Sequence, residues 1–187
     1  MGDRIESRKV SLELAHEIQQ FYFREARLLD DRQYQQWLSL LAEDVAYRVE
    51  SRHTPFLDAS KRETEALLDV SQEVSSGMEP PLRDDNFLTL SIRVMRSFKM
   101  NSWTDNPPAR TTRLVSNVEI NTGDAEDVLL THSNVLIAYS RYGMDNHSYS
   151  ARRRDTLRLT PAGWKICRRE VLLDWHVITG PSVGLFF

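Results

Sequence analysis

The amino-acid sequence predicts a single α+β domain over residues 1–187, in which N-terminal helices cover a long, curved antiparallel sheet. Apolar residues recur with a helical period over residues 11–29. From Arg110 onward, four segments alternate apolar and polar side chains and are separated by turn-forming residues. Each segment is roughly ten residues or longer, against the usual five to six for a strand. Because long antiparallel strands twist and curl, this order of elements is typical of a cone-shaped fold.

The N-terminal part contains two predicted helices. Ser11 is the expected N-cap of the first helix, which runs to Leu29. Asp30 and Asp31 are predicted to end this helix and to cap a short second one. The second helix presents an apolar face that comprises Tyr34, Trp37, Leu38 and Leu41.

The chain then changes to a strand-like period. Glu43 and Asp44 are predicted to form a turn before a strand in which Val45, Tyr47 and Val49 share one face. A capping-box pattern at residues 60–63 predicts a helix that continues to Val74.

Residues 77–82 are predicted to form a loop, and the stretch that follows them fits both a helical and a strand-like period. We favour a helix, with Asp84 and Asp85 as its caps. The remaining chain is predicted to form strands at 111–120, 128–140, 148–159 and 164–175.

Composition excludes several classes of protein. The formal charge of −3, with 27% charged residues, argues against a nucleic-acid or anionic-membrane partner. No apolar run approaches the roughly 20 residues that span a bilayer, and the polar N-terminus lacks the apolar core of a secretory signal. Cys167 is the single cysteine, which excludes an internal disulfide and suits a reducing compartment. We therefore expect a cytoplasmic protein.

The spacing of metal-ligand residues predicts no metal site. A Rieske cluster needs two cysteines and two histidines, and this chain has one cysteine. The closest histidines, His132 and His147, are 15 residues apart, unlike the helical spacing common in two-histidine, one-carboxylate iron sites. The seven glycines form no phosphate-binding motif, and Cys167 is expected to be a buried, inert thiol. We therefore predict no metal-binding or cofactor-binding residue in this chain.

Acid–base chemistry remains the alternative. Cone-shaped α+β domains often enclose a pocket in which carboxylates, histidine and tyrosine act on a small substrate, as in an isomerase or a dehydratase. The alternation of residues around His132 allows it to point inward, whereas capping accounts for the two aspartates at the helix junction. The candidate pocket residues are Asp30, Asp31, Asp44, Tyr47, His132 and Asp174.

The basic run at residues 152–155 is better explained by ion pairing than by an anion site. Successive strand residues face opposite sides, so Arg152 and Arg154 point away from Arg153 and Asp155. A hairpin at residues 160–163 would place Asp155 near Arg168 or Arg169 on the next strand. We predict a structural ion pair there, worth about 0–1 kcal/mol if it is exposed.

Two segments are candidate interfaces. Trp103, Asn106 and Pro107 lie in a proline-rich loop, WTDNPP, whose composition suits a contact surface. The chain ends in the apolar residues Phe186 and Phe187. Because soluble proteins avoid exposing such a tail, it should be buried in the chain's own core or at a subunit boundary.

Five segments together resemble a known family. They are REARLLDDRQYQQWLSLLAEDVAY (24–47), WTDNPPARTTRLVSNVEI (103–120), RRRDTLRL (152–159), GWKICRREVLLD (163–174) and the final GLFF. In this order they resemble the β (small) subunits of Rieske aromatic-ring-hydroxylating dioxygenases, over almost the whole chain. The overall length and the WTDNPPAR loop are most similar to the biphenyl, benzene and cumene group.

The resemblance implies a cone-shaped fold related to nuclear transport factor 2, scytalone dehydratase and ketosteroid isomerase, which also includes cystatin-like proteins. It implies that this chain holds no cofactor, and that a partner α subunit carries a Rieske [2Fe–2S] cluster and a mononuclear Fe(II). It further implies an α3β3 hexamer with β–β contacts, supplied with NADH-derived electrons by a reductase and a ferredoxin. The charged stretch at residues 21–49 would then be a capped helix pair and a charged rim.

Overall fold

The structure is a computed structural model that describes residues 10–52, 73, 80–101, 107–143, 146–175 and 184–187. The helix predicted to begin near Ser60 lies outside the described residues, apart from Glu73. Trp103 and Asn106 of the candidate interface loop also lie outside them.

Three helices and six strands make up the described part of the chain. Their bounds are α1 Leu12–Asp30, α2 Tyr34–Leu38, β1 Leu41–Glu50, β2 Arg83–Asn86, α3 Phe87–Ser97, β3 Arg110–Thr122, β4 Val128–Ser140, β5 His147–Thr160 and β6 Gly163–Leu173.

The strands form one sheet in the order β2-β1-β6-β5-β4-β3. The meander from β3 to β6 is antiparallel, as the sequence predicts. One pair departs from the predicted antiparallel arrangement, because β1 runs parallel to β6. In β3 the register shifts between Ser116 and Glu119, where Asn117 has a φ of 52°. Such a bulge bends a strand and increases its twist.

Helix α1 forms as predicted. The Ser11 hydroxyl accepts a hydrogen bond from the Leu14 amide at 3.2 Å, and the helix buries Ile18, Tyr22 and Leu29. The helix ends where Arg32 adopts a left-handed φ of 57°.

The predicted caps at the following helix junction are wrong. Gln33 precedes α2 and makes no side-chain cap. The Asp30 carboxylate instead reaches β3, where it accepts hydrogen bonds from the Arg113 amide at 2.7 Å and the Thr111 hydroxyl at 2.9 Å. It also pairs with the Arg113 guanidinium, so Asp30 ties α1 to the sheet.

Two further local predictions are wrong, although the elements themselves are correct. Glu43 and Asp44 lie within β1, not in a turn before it. Helix α3 is present, but its cap is Asn86, whose side chain accepts from the Thr89 amide at 3.0 Å in a capping box. Asp84 and Asp85 belong to the short strand β2, whereas the residues that also fit a strand-like period, 88–94, all lie in α3.

The core lies between the helices and the inner face of the sheet. Trp37, Leu90, Ile137, Leu157 and Ile166 are among its fully buried side chains. Because the long strands alternate buried and exposed residues, the opposite face of the sheet is left to solvent, as antiparallel sheets allow.

Candidate functional site

The inner face of the sheet carries buried charge where a cone-shaped domain would hold a pocket. Glu25 of α1 pairs with Arg153 of β5 and with Arg169 of β6, and Arg169 also pairs with Asp155 of β5. None of the four is more than 3% exposed. Two carboxylates face two guanidinium groups, so this cluster, here called the buried network, is neutral overall. Glu25 shows that the charged stretch at residues 21–49 is more than a rim, contrary to the prediction.

Arg169 uses its whole guanidinium group. Its Nε and Nη2 donate to the two Asp155 oxygens at 2.9 and 2.7 Å. Its Nη1 and Nη2 donate to the two Glu25 oxygens at 2.6 and 3.0 Å. The fifth bond runs from Nη1 to the Phe187 backbone oxygen at 2.6 Å. A guanidinium has five N–H donors, and here each one has an acceptor.

The Glu25 carboxylate also has all of its hydrogen-bond acceptor positions occupied. Besides the two bonds from Arg169, it accepts from Arg153 Nη1 at 3.2 Å and from the Trp37 indole N–H at 3.1 Å. These four bonds use the acceptor positions of a carboxylate. No acceptor of Glu25 is therefore left for a substrate or a proton.

Tyr22 and Thr131 complete the buried network around Asp155. The Tyr22 hydroxyl donates to Asp155 Oδ2 at 2.9 Å and contacts the Thr131 hydroxyl. Arg153 lies over the Tyr22 ring, 5.1 Å from its centroid, and donates from Nε to the Ser133 hydroxyl at 3.1 Å. Within the described parts of the chain, Arg153 Nη2 has no hydrogen-bond acceptor.

The pKa shifts within the buried network suit a structural role more than a role in proton transfer. Burial alone would raise the pKa of Glu25, but Arg169 and Arg153 outweigh it and hold this pKa below its ordinary value. Burial, and then the charge of Asp155, raises the pKa of the Tyr22 hydroxyl well above its ordinary value. A general base or acid works best with a pKa near the operating pH. The pKa values of Glu25 and Tyr22 are both shifted away from neutral pH.

The lowered pKa of Glu25 makes stability depend on acid pH. Above the ordinary glutamate value of 4.5, Glu25 is charged in both folded and unfolded chains, and its stabilisation is fully present. As the pH falls through the lower folded-state pKa, the unfolded chain binds a proton first and stability is lost. We expect the free energy of unfolding in urea to decrease below about pH 4.5. Glu25→Gln should flatten this slope, whereas Glu13→Gln, on the exposed side of α1, should keep it.

The last two residues, Phe186 and Phe187, pack against the inner face of the sheet near the buried network. The Phe187 amide donates to the Tyr47 hydroxyl at 2.8 Å, and that hydroxyl donates to the Phe187 oxygen at 3.1 Å. Phe186 packs on Trp37 with ring centroids 4.5 Å apart, and its backbone oxygen accepts from Arg113 Nη2 at 2.8 Å. The structure places both phenylalanines in the core of the chain itself, so their burial needs no second subunit.

A small cavity of about 80 Å³ lies beside this tail. Arg113 and Phe186 form part of its wall, together with residues at the start of β3. Among the described residues, no carboxylate or histidine lines it; the walls include Arg32, Tyr34, Ala109, Thr111, Tyr139 and Leu185. The described part of its wall therefore offers no carboxylate or histidine to act as the acid or base of a pocket enzyme.

The candidate pocket residues do not converge. His132 lies on the exposed face of β4, so the expectation that it could point inward is wrong, and Thr131 and Ser133 take the inner positions. Asp44 is exposed and accepts from Arg158 Nη1 at 3.1 Å, a bond that holds the pKa of Asp44 below its ordinary value. Asp174 is also exposed and pairs with Arg52 at 3.1 Å. Tyr47 alone faces the core, where it holds Phe187.

The remaining predicted residues are placed as follows. Asp155 lies opposite Arg169, while Arg168 points to the other face and donates to Glu170 at 3.0 Å. Cys167 is half-buried, and burial raises the pKa of its thiol, which lies 3.2 Å from the Thr156 oxygen. Pro107 is exposed. The described ranges contain no group of three or more histidine, cysteine, aspartate or glutamate side chains that could hold a metal ion.

Sequence reasoning missed the helix side of the buried network. Glu25 follows Ile18 and Tyr22 at helical spacing and precedes Leu29, so its position on the apolar stripe of α1 is visible in the sequence. A carboxylate on such a stripe is rarely buried without a cationic partner. The position of Glu25 on the apolar stripe therefore indicates a buried cationic partner, and Arg153, which is predicted to face inward, is a candidate.

Comparison with known proteins identifies similar chains over most of the sequence. The family described as Ring hydroxylating beta subunit matches residues 24–180. The chain is 34% identical to the benzene 1,2-dioxygenase subunit beta of Pseudomonas putida over 180 residues, which cover 95% of this chain and 91% of that protein. It is 34% identical to the biphenyl 2,3-dioxygenase subunit beta of Rhodococcus jostii, over 93% of this chain and 89% of that one.

Solved structures show the same fold. A naphthalene 1,2-dioxygenase structure with indole bound aligns with a TM-score of 0.79 and 24% identity, over 96% of this chain and 88% of that chain. An NTF2-like protein with a cystatin-like fold from Novosphingobium aromaticivorans aligns with a TM-score of 0.54 and 17% identity, over 89% and 86% of the two chains. The predicted cone-shaped α+β fold is confirmed.

Proposed function

Because this chain belongs to the family of ring-hydroxylating dioxygenase β subunits, we propose that it is the structural subunit of a multicomponent Rieske dioxygenase. The assembled enzyme would use O2 and NADH-derived electrons to convert an aromatic hydrocarbon of the benzene or biphenyl type into a cis-dihydrodiol. The chain itself would carry no catalytic residue.

The observation that carries this proposal is the closed buried network. In a pocket enzyme of the same fold, titratable side chains would face a cavity with free acceptors or donors. Here Arg169 and Glu25 exhaust their hydrogen-bonding capacity on one another and on neighbouring protein atoms. The alternative of a free-standing isomerase or dehydratase has no comparable support.

The proposal assigns the cofactors and partners to other chains. The names of the relatives, each a subunit beta of a dioxygenase, imply a second type of subunit. We propose that this α subunit holds the Rieske [2Fe–2S] cluster and the mononuclear Fe(II), and that three α and three β chains form a hexamer with β–β contacts. A ferredoxin and a reductase would deliver electrons to the α subunit.

Three further features belong to the proposal. Residues 1–187 would form a single domain located in the cytoplasm; within the described ranges, no helix has the length and apolar character needed to cross a membrane. Asp155 and Arg169 would form a structural ion pair. The loop that contains Trp103, Asn106 and Pro107 would contribute to a subunit contact.

Co-purification tests the proposal. The chain is expressed with and without a Rieske-type α subunit from the same source, and the mass in solution and the ring-hydroxylating activity are measured. We expect a coloured hetero-oligomer that is active with ferredoxin, reductase and NADH. An uncoloured, stable homodimer with isomerase or dehydratase activity of its own would overturn the proposal.

The isolated chain is expected to bind no iron. The argument is the spacing of the histidines and the single cysteine, which offer no ligand set of a known iron type. Elemental analysis of the purified chain should find iron far below one atom per chain, while the co-purified α subunit contains iron. Stoichiometric iron in the isolated chain would refute this prediction.

A further inference from the structure

Strand β3 is an edge strand of the sheet. It stands last in the strand order and pairs with β4 on one side, and within the described residues no strand pairs with its other side. It is also long, with 13 residues from Arg110 to Thr122. A long edge strand offers unpaired N–H and C=O groups, to which another chain can add as a further strand. The free edge of β3 is therefore a surface where self-association is expected unless the edge is protected.

The hydrogen bonds of β3 show which of its backbone groups point to the free edge. The Arg113 amide donates to the Asp30 carboxylate of α1 at 2.7 Å, so it points away from β4. The backbone groups of alternate residues in an antiparallel strand point to the same side. The groups that point to the free edge in the first half of β3 are therefore those of Thr111, Arg113 and Val115, preceded by those of Ala109.

Two side chains from the end of α1 bind to this edge. Asp30 accepts from the Arg113 amide, and Arg32 donates from Nη2 and Nε to the Ala109 backbone oxygen at 3.1 and 3.3 Å. A carboxylate thus occupies a donor of the edge, and a guanidinium occupies an acceptor. We call Asp30 and Arg32 together the edge cap.

The backbone conformation of Arg32 points to a role for its side chain. The amides of Arg32 and Gln33 donate to the Leu29 and Leu28 oxygens at 3.2 and 2.8 Å, which is the pattern of a Schellman motif at a helix end. The residue at the Arg32 position of this motif is left-handed and is usually glycine. Arg32 has a φ of 57°, a conformation that is uncommon for other residue types. The chain therefore keeps a long side chain where the backbone favours glycine, and that side chain binds the edge of β3.

The edge cap lies on the part of β3 that is regular enough to pair with another strand. The register with β4 shifts around Asn117, which has a φ of 52°. Such a bulge bends a strand and turns its edge away from a partner. The regular part of the free edge is therefore at residues 109–115, and the edge cap binds there, at Ala109 and at Arg113.

We propose that the edge cap keeps β3 from pairing, in antiparallel orientation, with β3 of a second copy of this chain. Two-fold pairing of identical edges is the simplest strand addition, because the same surface is then self-complementary. With the edge cap in place, an incoming strand finds the Arg113 donor and the Ala109 acceptor occupied and meets two side chains across the edge. The inference concerns the chain alone and does not depend on the α subunit.

Variants of the full chain test the edge cap. Arg32→Gly removes the guanidinium and keeps the left-handed backbone, which glycine adopts without steric cost. Arg27→Ala is the matched control, because it also removes one exposed positive charge near the end of α1. Val115→Pro, alone and combined with Arg32→Gly, blocks strand addition. The Val115 amide points to the free edge, so proline there removes no bond to β4. Sedimentation over a range of concentrations measures self-association, and thermal unfolding measures stability.

We expect Arg32→Gly to keep or raise the melting temperature and to increase the self-association constant at least tenfold over that of the wild-type chain. In the associated variant the Val115 amide should become protected from hydrogen exchange. Arg27→Ala and Val115→Pro should each associate as the wild-type chain does, and the combined variant should return to the wild-type constant. The inference is wrong if Arg32→Gly associates no more than Arg27→Ala, or if its association survives Val115→Pro and leaves the Val115 amide unprotected. A lower melting temperature without association would also contradict it, because Arg32 would then only hold α1 on the sheet.

Discussion

Replacing Arg169 by methionine is expected to lower the free energy of unfolding by about 3–5 kcal/mol, because Glu25 and Asp155 would remain buried with less compensation. Arg169 is fully buried and donates five hydrogen bonds, four of them to these two carboxylates. Methionine retains an unbranched apolar stem and removes the guanidinium group with its charge and its donors. Urea unfolding at pH 7 measures the loss.

Arg168→Met is the matched control for this experiment. Arg168 is the preceding residue in β6, but its side chain is 60% exposed and pairs with Glu170. Exposed pairs contribute about 0–1 kcal/mol, so Arg168→Met should change stability by about 1 kcal/mol or less. Asp155→Asn should resemble Arg169→Met, since Asp155 is also buried. Similar small losses for Arg168→Met and Arg169→Met would contradict the importance of the buried network.

Deleting residues 185–187 is the second change with a large expected effect. Burial of each phenylalanine contributes roughly 1.5–3 kcal/mol, and the deletion also leaves the buried Tyr47 hydroxyl and Arg113 without acceptors on the tail. We expect the melting temperature of the chain to fall, or its oligomer to dissociate, with loss of activity only as a consequence.

Point variants separate the tail's packing from its backbone bonds. Phe187→Ala should cost about 3–5 kcal/mol, the usual range for a buried phenylalanine. Phe23→Ala is the matched control, because Phe23 is 43% exposed on α1, and its loss should be much smaller. A truncated chain with unchanged stability, oligomeric state and activity with the α subunit would show that the tail has no structural role.

Local patterns in the sequence predict most of the helices and strands, because the formation of a helix or strand depends largely on residues that are close in sequence. The apolar period of α1, the Ser11 cap and the alternation of β4 and β5 all correspond to the structure. Alternation also correctly separates Arg153 and Asp155 from Arg152 and Arg154, which places the sheet side of the buried network.

Contacts between distant residues could not be predicted in the same way. Asp30 follows a helix and resembles a cap, yet its partners Thr111 and Arg113 lie more than 80 residues away. The parallel pairing of β1 with β6 leaves no local trace either, because each strand alone has an ordinary alternating pattern. Glu25 belongs to the charged stretch that is predicted to form a rim, although its helical spacing places it among buried residues.

The central claim is that the buried network supports structure and performs no chemistry. The most direct test measures turnover per iron centre in the assembled enzyme whose β subunit carries Asp155→Asn, with Tyr22→Phe as a milder second variant. Both changes remove an ionisable group of the buried network that a pocket enzyme would use as acid or base. We expect less assembled enzyme with Asp155→Asn but an unchanged turnover per iron centre in both variants. A selective loss of turnover in normally assembled enzyme, at normal iron content, would contradict the claim.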